Sequence, residues 1–329
     1  MGAFKRELTR PDPRVPGAPA PARGPLIGMA LGGGFARGLA HIGVLLVLEE
    51  EQIPIAQVTG TSAGAMIGAA YCSGVSPREL KKIAERVRFK DLARYTLSRY
   101  GLYSNDRMTS FLQRILKVKT FEELHTPLAV VATDLATGAA TIFRKGNLID
   151  PVRASCAYPG AFQPVMVEGR RMVDGLLSYS VPVQPLREMG AEKVIAVHFP
   201  SRGASRSAPR HLMEVIGQCF SIAQANARSL WESEVDLLIE PDVGSFSFND
   251  FQHAPDLIRL GQEAARAALP VIRSWFPAKD QTPASTELAS LSRSSLSPLS
   301  PIPSSSVSST STASASNASL ERTRVLPPS

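Results

Sequence analysis

The residues Gly60-Thr61-Ser62-Ala63-Gly64 form a G-x-S-x-G pattern between a β-branched run and a segment with helical periodicity. A strand that turns sharply into a helix strains its apex residue, and side chains two positions away on either side would collide. Glycines at positions 60 and 64 avoid that collision. The pattern therefore predicts that Ser62 is a nucleophile at a strand end, although an ordinary glycine-rich turn has the same spacing.

A second glycine-rich stretch, residues 32–38, reads Gly-Gly-Gly-Phe-Ala-Arg-Gly and follows the first apolar run. Backbone amides in such a turn bind anions. A dinucleotide site would also need an acid at the end of the second strand, and that strand ends instead in Thr59-Gly60. A nucleophilic serine needs amide donors for its oxyanion. We therefore favour an oxyanion hole made by the amides of Gly33, Gly34 and Phe35.

Strand and helix patterns alternate between residues 25 and 276, which predicts an α/β domain with a mostly parallel sheet and helices on both faces. The expected strands are 26–31, 55–59, 128–133, 141–143, 194–197 and 235–239, and the expected helices are 39–51, one starting at 63, 104–116, 212–230 and 257–272. In the expected helix at 212–230, the apolar residues mark one helix face: Leu212, Val215, Ile216, Cys219, Ala223, Ala227 and Leu230.

The ends of the 329-residue chain differ in composition from this domain. Residues 1–24 are rich in Pro, Ala and Arg, and residues 277–329 are rich in Ser, Pro and Thr. Such segments bury too little apolar surface to offset their ordering entropy, so we expect a disordered leader and a disordered tail. The sequence has no signal-peptide core and no apolar run long enough to cross a membrane, which favours a cytoplasmic location.

Positive charge is concentrated in residues 77–119, the basic segment, which has 12 basic and 4 acidic residues within a chain of net charge +7. This charge favours an anionic membrane surface as partner, or is only a solvated helix face. No nucleic-acid-binding pattern accompanies it, so we expect no nucleic-acid partner. The tyrosines and leucines within it suit a membrane contact or a lid, or are ordinary core residues: Tyr95, Leu97, Tyr100, Leu102 and Tyr103.

Residues 32–45, residues 60–64 and Val173-Asp174-Gly175 occur in this order along the chain. In sequence and order they resemble the motifs of patatin-like phospholipases, and the bacterial branch, similar to the neuropathy target esterase domain, fits best. Residues 132–135 and 154–165 also match its pattern. The resemblance implies a three-layer α/β/α acyl hydrolase that cleaves phospholipid or other acyl-ester lipids. Four residues depart from the usual pattern: Phe35 in the glycine loop, Leu176 after Asp-Gly, and the pair Tyr179-Ser180.

The resemblance implies a Ser62–Asp174 dyad in which Asp174 accepts the proton of the nucleophile. Partial desolvation would raise the pKa of this carboxyl and make it a better base. The order Ser62, Asp174, His198 also satisfies a triad, although His198 ends an apolar strand and a structural role is favoured. We expect Asp134 to form a turn. Arg37 either orients a charged substrate group or forms a loop salt bridge.

A non-enzymatic function is the competing interpretation: a catalytically weak scaffold that binds lipid or protein. Leu176 and the Ser-rich tail favour it. The cysteines Cys72, Cys156 and Cys219 are odd in number and widely spaced, so we expect neither a disulfide framework nor a zinc site. No cluster of metal-ligating residues occurs in the sequence, and we predict no metal and no other cofactor.

Overall fold

The computed structural model describes residues 24–200, 209, 212–247, 249–276 and 324–325. The predicted leader and tail therefore lie outside the described residues, apart from Gly24 and the pair Arg324–Val325.

The described residues contain eleven strands: β1 (Ile27–Leu31), β2 (Gln57–Thr61), β3 (Arg94–Ser98), β4 (Gly101–Ser104), β5 (Leu128–Asp134), β6 (Ala140–Phe143), β7 (Val165–Val167), β8 (Arg170–Asp174), β9 (Lys193–Val197), β10 (Leu237–Ile239) and β11 (Arg324–Val325). Nine of them form one sheet in the order β11-β10-β9-β1-β2-β5-β8-β7, with β6 paired to β5. The pairs from β11 to β5 are parallel, and β6, β7 and β8 are added in antiparallel orientation.

Ten α-helices occur in the same residues: α1 (Ala40–Glu50), α2 (Ala63–Cys72), α3 (Pro77–Ala84), α4 (Phe89–Leu92), α5 (Asp106–Ile115), α6 (Ile149–Ser155), α7 (Val183–Glu188), α8 (Leu212–Ala227), α9 (Ser229–Glu232) and α10 (Ala254–Ser274). Apolar clusters fill both sides of the sheet, the larger beneath α1, α2 and α10 and the smaller around α7 and Trp231. The mostly parallel α/β fold is confirmed.

Helices α1 and α10 cross at a pair of glycines. A Cβ atom on Gly43 would lie 2.0 Å from the carbonyl oxygen of Ile258, and one on Gly261 would lie 2.0 Å from that of Ala40. Because neither helix backbone can move away without opening the core, only glycine permits this approach. The crossing fixes α1, and with it the glycine loop that precedes α1.

The basic segment forms α3, α4, the β3–β4 hairpin and α5. Helix α3 begins with a capping box in which Ser76 Oγ accepts the amide of Glu79 and the Glu79 carboxylate accepts the amide of Ser76. Its Leu80 and Ala84 are buried. All twelve basic side chains of the segment are exposed. The segment therefore has an apolar inner side and a cationic outer side, while the hairpin within it was not predicted from the sequence.

The helix predicted at 212–230 is present but ends earlier, and its apolar residues are distributed differently between the protein and the solvent. Helix α8 ends at Ala227, and none of its residues is fully buried. Leu212 and Val215 of the predicted apolar face are 72% and 44% exposed, whereas Ile216 faces the protein near Gly160. The predicted helix is therefore present, but much of its predicted apolar face is exposed. Because the helix is apolar on more than one face, periodicity alone does not identify the face that packs.

Candidate active site

Ser62 lies at the turn from β2 into α2, with φ 55° and ψ −121°. This left-handed conformation is strained for a residue with a side chain. A Cβ on Gly60 would lie 2.6 Å from the carbonyl oxygen of Gly64, and one on Gly64 would lie 2.2 Å from that of Leu31. Both glycines are therefore required sterically, as the sequence pattern predicted.

The sheet register brings Ser62 and Asp174 to the same level. In β5, Val131 pairs with Thr61 on one side, and the next residue, Ala132, pairs with Asp174 on the other. Ser62 follows Thr61, so the two side chains flank the same position of β5. Gly175 then passes close beneath this strand, since a Cβ there would lie 2.2 Å from the carbonyl oxygen of Val131.

The carboxyl group of Asp174 is fully buried, and its two oxygens differ. Oδ1 accepts the amide of Leu176 at 3.0 Å. Oδ2 has no hydrogen-bond partner among the residues described. Burial raises the pKa of Asp174 to about 7, although the Leu176 amide and the adjacent Ser62 hydroxyl both lower it. A carboxyl with this pKa is a stronger base than an exposed aspartate and is still substantially ionised near neutral pH.

The glycine loop borders the nucleophile. A Cβ on Gly33 would lie 3.4 Å from Ser62 Cβ, so a side chain at this position would crowd the serine. The Gly33 amide donates to the carbonyl of Ser180 at 3.2 Å. Phe35 has a φ of 50°, a conformation that glycine adopts without strain, and its ring packs against Tyr158 at 5.2 Å.

His41 holds this loop from behind. Its Nε2 lies 2.8 Å from the carbonyl oxygen of Gly32, and its ring packs on Phe199. Burial lowers the pKa of His41 to about 4, although the bond to Gly32 raises it. The histidine is therefore neutral at pH 7, and Nε2 donates its proton to that carbonyl. The sequence analysis did not single out His41, because no local pattern indicates this contact with the loop.

Arg37 is hydrogen-bonded to the backbone of a distant loop of the same chain. Its Nε donates to the carbonyl of Phe246 at 2.8 Å. Burial lowers the pKa of Arg37, and the nearby carboxylate of Asp250 raises it. The contact ties the glycine loop to the segment before α10, which favours a loop-anchoring role over a direct role in orienting substrate.

The two rival groups lie away from the serine. His198 Nδ1 is 3.0 Å from Glu240 Oε1, and three strands, β1, β2 and β5, lie between β9 and β8 in the sheet. The structure therefore does not bring His198 to Asp174, and the Ser–Asp–His triad is not formed. Asp134 Oδ1 accepts the amide of Ala136 at 2.9 Å, which is the predicted turn-forming role.

A cavity of about 790 Å³, including the space at its mouth, opens beside Ser62. Only Ser62 and Cys156 among its lining residues carry a hydroxyl or thiol. The other lining side chains are hydrocarbon, aromatic or thioether groups from α1, α2, α3, α4, α5 and neighbouring loops. The inner side of the basic segment supplies much of this lining. The cavity can therefore hold an extended apolar chain whose polar end lies at Ser62.

Two residues that the sequence analysis did not single out contact the nucleophile backbone. Ser155 Oγ accepts the Ser62 amide at 2.8 Å, and Cys156 Sγ donates to the Ser62 carbonyl at 3.3 Å. Sequence reasoning noted both only within a matching pattern. Their separation from Ser62 of more than 90 residues leaves no local signal for the contact. No group of three or more potential metal ligands occurs in the described ranges.

Comparison with solved structures shows the fold. The chain resembles the crystal structure of VipD from Legionella pneumophila with a TM-score of 0.51 and 13% sequence identity, over 77% of this chain and 67% of that one. The family model described as patatin-like phospholipase matches residues 29–187. This region belongs to the patatin-like phospholipase family. It contains the glycine loop, Ser62 and Asp174.

Several curated proteins resemble the patatin-like region and its surroundings. An uncharacterized NTE family protein of Mycobacterium tuberculosis is 34% identical over 189 residues, covering 54% of this chain and 52% of that protein. A second from the same organism is 29% identical over 269 residues, covering 74% and 46%. Mouse patatin-like phospholipase domain-containing protein 6 is 32% identical over 187 residues, covering 54% and 14%. The chain thus spans about half of these proteins or less.

Proposed function

We propose that this chain is a serine hydrolase of lipid acyl esters. The match of residues 29–187 to the patatin-like phospholipase family supports lipid acyl hydrolysis in general. One observation in this structure supports the same activity for this chain. Ser62 lies at the polar end of a hydrocarbon-lined cavity and beside a buried carboxyl whose pKa is about 7. An acyl chain in the cavity would place its ester carbonyl at Ser62.

In this proposal Asp174 takes the proton of the Ser62 hydroxyl as Oγ attacks the ester carbonyl. The C–O bond of the leaving alcohol then breaks, the alcohol takes the proton from Asp174, and an acyl-enzyme remains. Water then attacks the acyl-enzyme carbonyl while Asp174 accepts a proton from it. The bond between the carbonyl carbon and Ser62 Oγ breaks, Oγ takes the proton back from Asp174, and the free acid leaves. The buried, unpartnered Oδ2 of Asp174 supports this role, because it is the oxygen available to the proton.

Amides of the glycine loop would stabilise the oxyanion that forms at each attack. Gly34 donates no hydrogen bond within the described residues, so its amide is available. The Gly33 amide would have to exchange the carbonyl of Ser180 for the oxyanion. Loss of one such donor costs about 100- to 1000-fold in rate. Phe35, whose ring lines the cavity, would contribute its amide in the same loop.

A direct test is hydrolysis of a lysophospholipid by the purified chain and by Ser62→Ala. We expect the variant to lose essentially all activity while its urea unfolding midpoint stays near that of the parent. Ser178→Ala is a matched control, because this hydroxyl bonds Thr133 and Gly175 next to the site but does not line the cavity. A parent that hydrolyses the substrate no faster than buffer alone would instead support the catalytically weak scaffold, and equal substantial activity of Ser62→Ala and the parent would show that another residue is the nucleophile.

We also propose that the basic segment docks on an anionic membrane surface. Its exposed cations lie on the side opposite the cavity lining, and Tyr95, Tyr100 and Leu102 of the hairpin are exposed among them. The guanidinium groups of Arg99 and Arg171 lie 4.9 and 5.5 Å from the Tyr100 ring. Tyrosine and leucine among cations suit the headgroup region of a bilayer. No helix in the described residues is long and apolar enough to cross a membrane.

Vesicle flotation tests this docking. The double variant Lys81→Gln/Lys82→Gln should bind phosphatidylglycerol-containing vesicles up to roughly 30-fold more weakly, at about 1 kcal/mol for each cation. Arg259→Gln/Arg266→Gln on α10 removes the same charge from exposed positions elsewhere and should bind like the parent. Binding that is insensitive to salt, or equally weakened by both variants, would contradict the docking proposal.

A further inference from the structure

Three consecutive residues, 155–157, together make hydrogen bonds to the backbone of Ser62 and to that of Asp174. Ser155 accepts the Ser62 amide, Cys156 donates to the Ser62 carbonyl, and the carbonyl of Ala157 accepts the Asp174 amide at 3.0 Å. All three are buried. The end of α6 and the two residues after it are therefore hydrogen-bonded to the backbone of both residues of the proposed dyad.

The Ser155 hydroxyl replaces a missing bond of the sheet. Thr61 is the last residue of β2 and pairs with Val131 of β5. The strained turn at Ser62 carries the backbone away from β5, and the Ser155 hydroxyl fills the gap. It accepts the Ser62 amide at 2.8 Å and donates to the Val131 carbonyl at 2.6 Å. Only a group that both donates and accepts can make these two bonds together.

We propose that Ser155 is a positioning residue that sets the place of Ser62 relative to Asp174, with Cys156 in a supporting role. Ser155 is not among the cavity-lining residues and acts through the Ser62 backbone. Its loss would leave a buried amide and a buried carbonyl without their partner and would let the strained turn relax. The Ser62 hydroxyl would then move with its backbone, away from the carboxyl. This inference rests on the proposed hydrolase function.

Hydrolysis kinetics of Ser155→Ala test the proposal. We expect kcat to fall about 100-fold, the usual effect of misplacing a reacting group by about 1 Å, with KM changed less than about threefold. Ser155→Thr keeps the hydroxyl and should recover most of kcat. A purely structural role would lower the amount of folded protein without this separation of kcat from KM.

Ser73→Ala is the matched control. Ser73 is fully buried, and its Oγ also makes two backbone bonds, donating to Ala70 at 2.7 Å and accepting from Lys117 at 3.3 Å. It lies at the far end of α2 and does not line the cavity. Urea unfolding should show similar losses of stability for Ser73→Ala and Ser155→Ala, whereas kcat should fall only in Ser155→Ala.

The outcomes separate this inference from the proposed function. An active parent with an unchanged kcat in Ser155→Ala, or an equal fall of kcat in Ser73→Ala, overturns the positioning role alone. An inactive parent overturns the proposed function. If Ser155→Ala does not fold, Cys156→Ala decides: loss of its bond to Ser62 should lower kcat about fivefold, as for one ordinary hydrogen bond, and an unchanged kcat overturns the proposal.

Discussion

Two nearly fully buried carboxyl groups beside the same sheet have pKa values shifted in opposite directions. Burial raises the pKa of Asp174 to about 7, and no cation within the described part of the chain offsets this effect. Burial also raises the pKa of Glu240, which is only 3% exposed, but bonds and charges from His198 and Arg228 outweigh burial and lower the pKa to about 2. The bonds and charges from His198 and Arg228 therefore determine the direction of the Glu240 shift, whereas desolvation determines that of Asp174.

This comparison distinguishes a proton acceptor from a structural ion pair. Glu240 is ionised and bonded to Arg228 at 2.8 Å throughout the physiological pH range. A carboxylate with so low a pKa is a poor proton acceptor at neutral pH. Asp174 changes protonation near neutral pH and keeps one oxygen unpartnered. His198, the rival base, belongs to the structural pair through its bond to Glu240.

Activity should separate the two carboxyl groups most strongly. Asp174→Asn removes the proposed base and should lower kcat for lysophospholipid hydrolysis by about 10³- to 10⁴-fold. Glu240→Gln should leave kcat within about threefold of the parent, measured at matched concentrations of folded protein. Comparable losses in both variants would remove the distinction.

The pH dependence of kcat/KM should follow Asp174 alone. Below a pKa of about 7 the carboxyl is protonated and cannot accept the serine proton, so kcat/KM should fall about tenfold for each pH unit. Assays with a neutral ester substrate between pH 4.5 and 9 measure this midpoint. Glu240→Gln should keep it, and a profile that is flat down to pH 5 would show that the base is another group.

Stability should change in opposite directions. The folded-state pKa of Asp174 lies above the value of about 3.9 in an unfolded chain, so its contribution to stability is present below pH 4 and is lost as the pH rises through 7. Asp174→Asn avoids this loss. In urea unfolding at pH 8 it should be more stable than the parent by up to about 4 kcal/mol, and the difference should vanish near pH 4.

Glu240→Gln should behave in the reverse manner. The pKa of Glu240 is lower in the folded state, so its contribution is present above about pH 4.5 and is lost as the pH falls toward 2. At pH 7 the variant should be less stable by about 1 to 2 kcal/mol, since solvent screens part of the ion pair. Equal pH dependence of unfolding in the two variants would contradict the assignment of opposite pKa shifts.

Local sequence patterns predicted the parts of the site that depend on local geometry. The turn at Ser62 requires glycine two residues before and two residues after the serine, and residues 60–64 contain this pattern. The strands expected at 128–133 and 194–197 are present as β5 and β9 because continuous apolar runs suit a sheet buried on both faces. The place of Asp174 came from the resemblance to a family and not from its neighbours in sequence.

Contacts that depend on packing could not be predicted. Ser155 reaches Ser62 across 93 residues of sequence, and the bond follows from the register of β2 against β5. The partner of His198 is Glu240, which becomes its neighbour only because β9 and β10 are adjacent. Helix α8 is a further example. The spacing of its apolar residues predicted a helix but did not indicate which face packs against the rest of the protein.

The most direct test of the central claim, that Asp174 activates Ser62, is the rate of labelling by a fluorophosphonate, with the modified residue identified by mass spectrometry. We expect labelling of the parent at Ser62, labelling of Asp174→Asn at least about 100-fold more slowly, and labelling of His198→Gln at the parent rate. Labelling of Asp174→Asn as fast as the parent, or modification of a residue other than Ser62, would contradict the account.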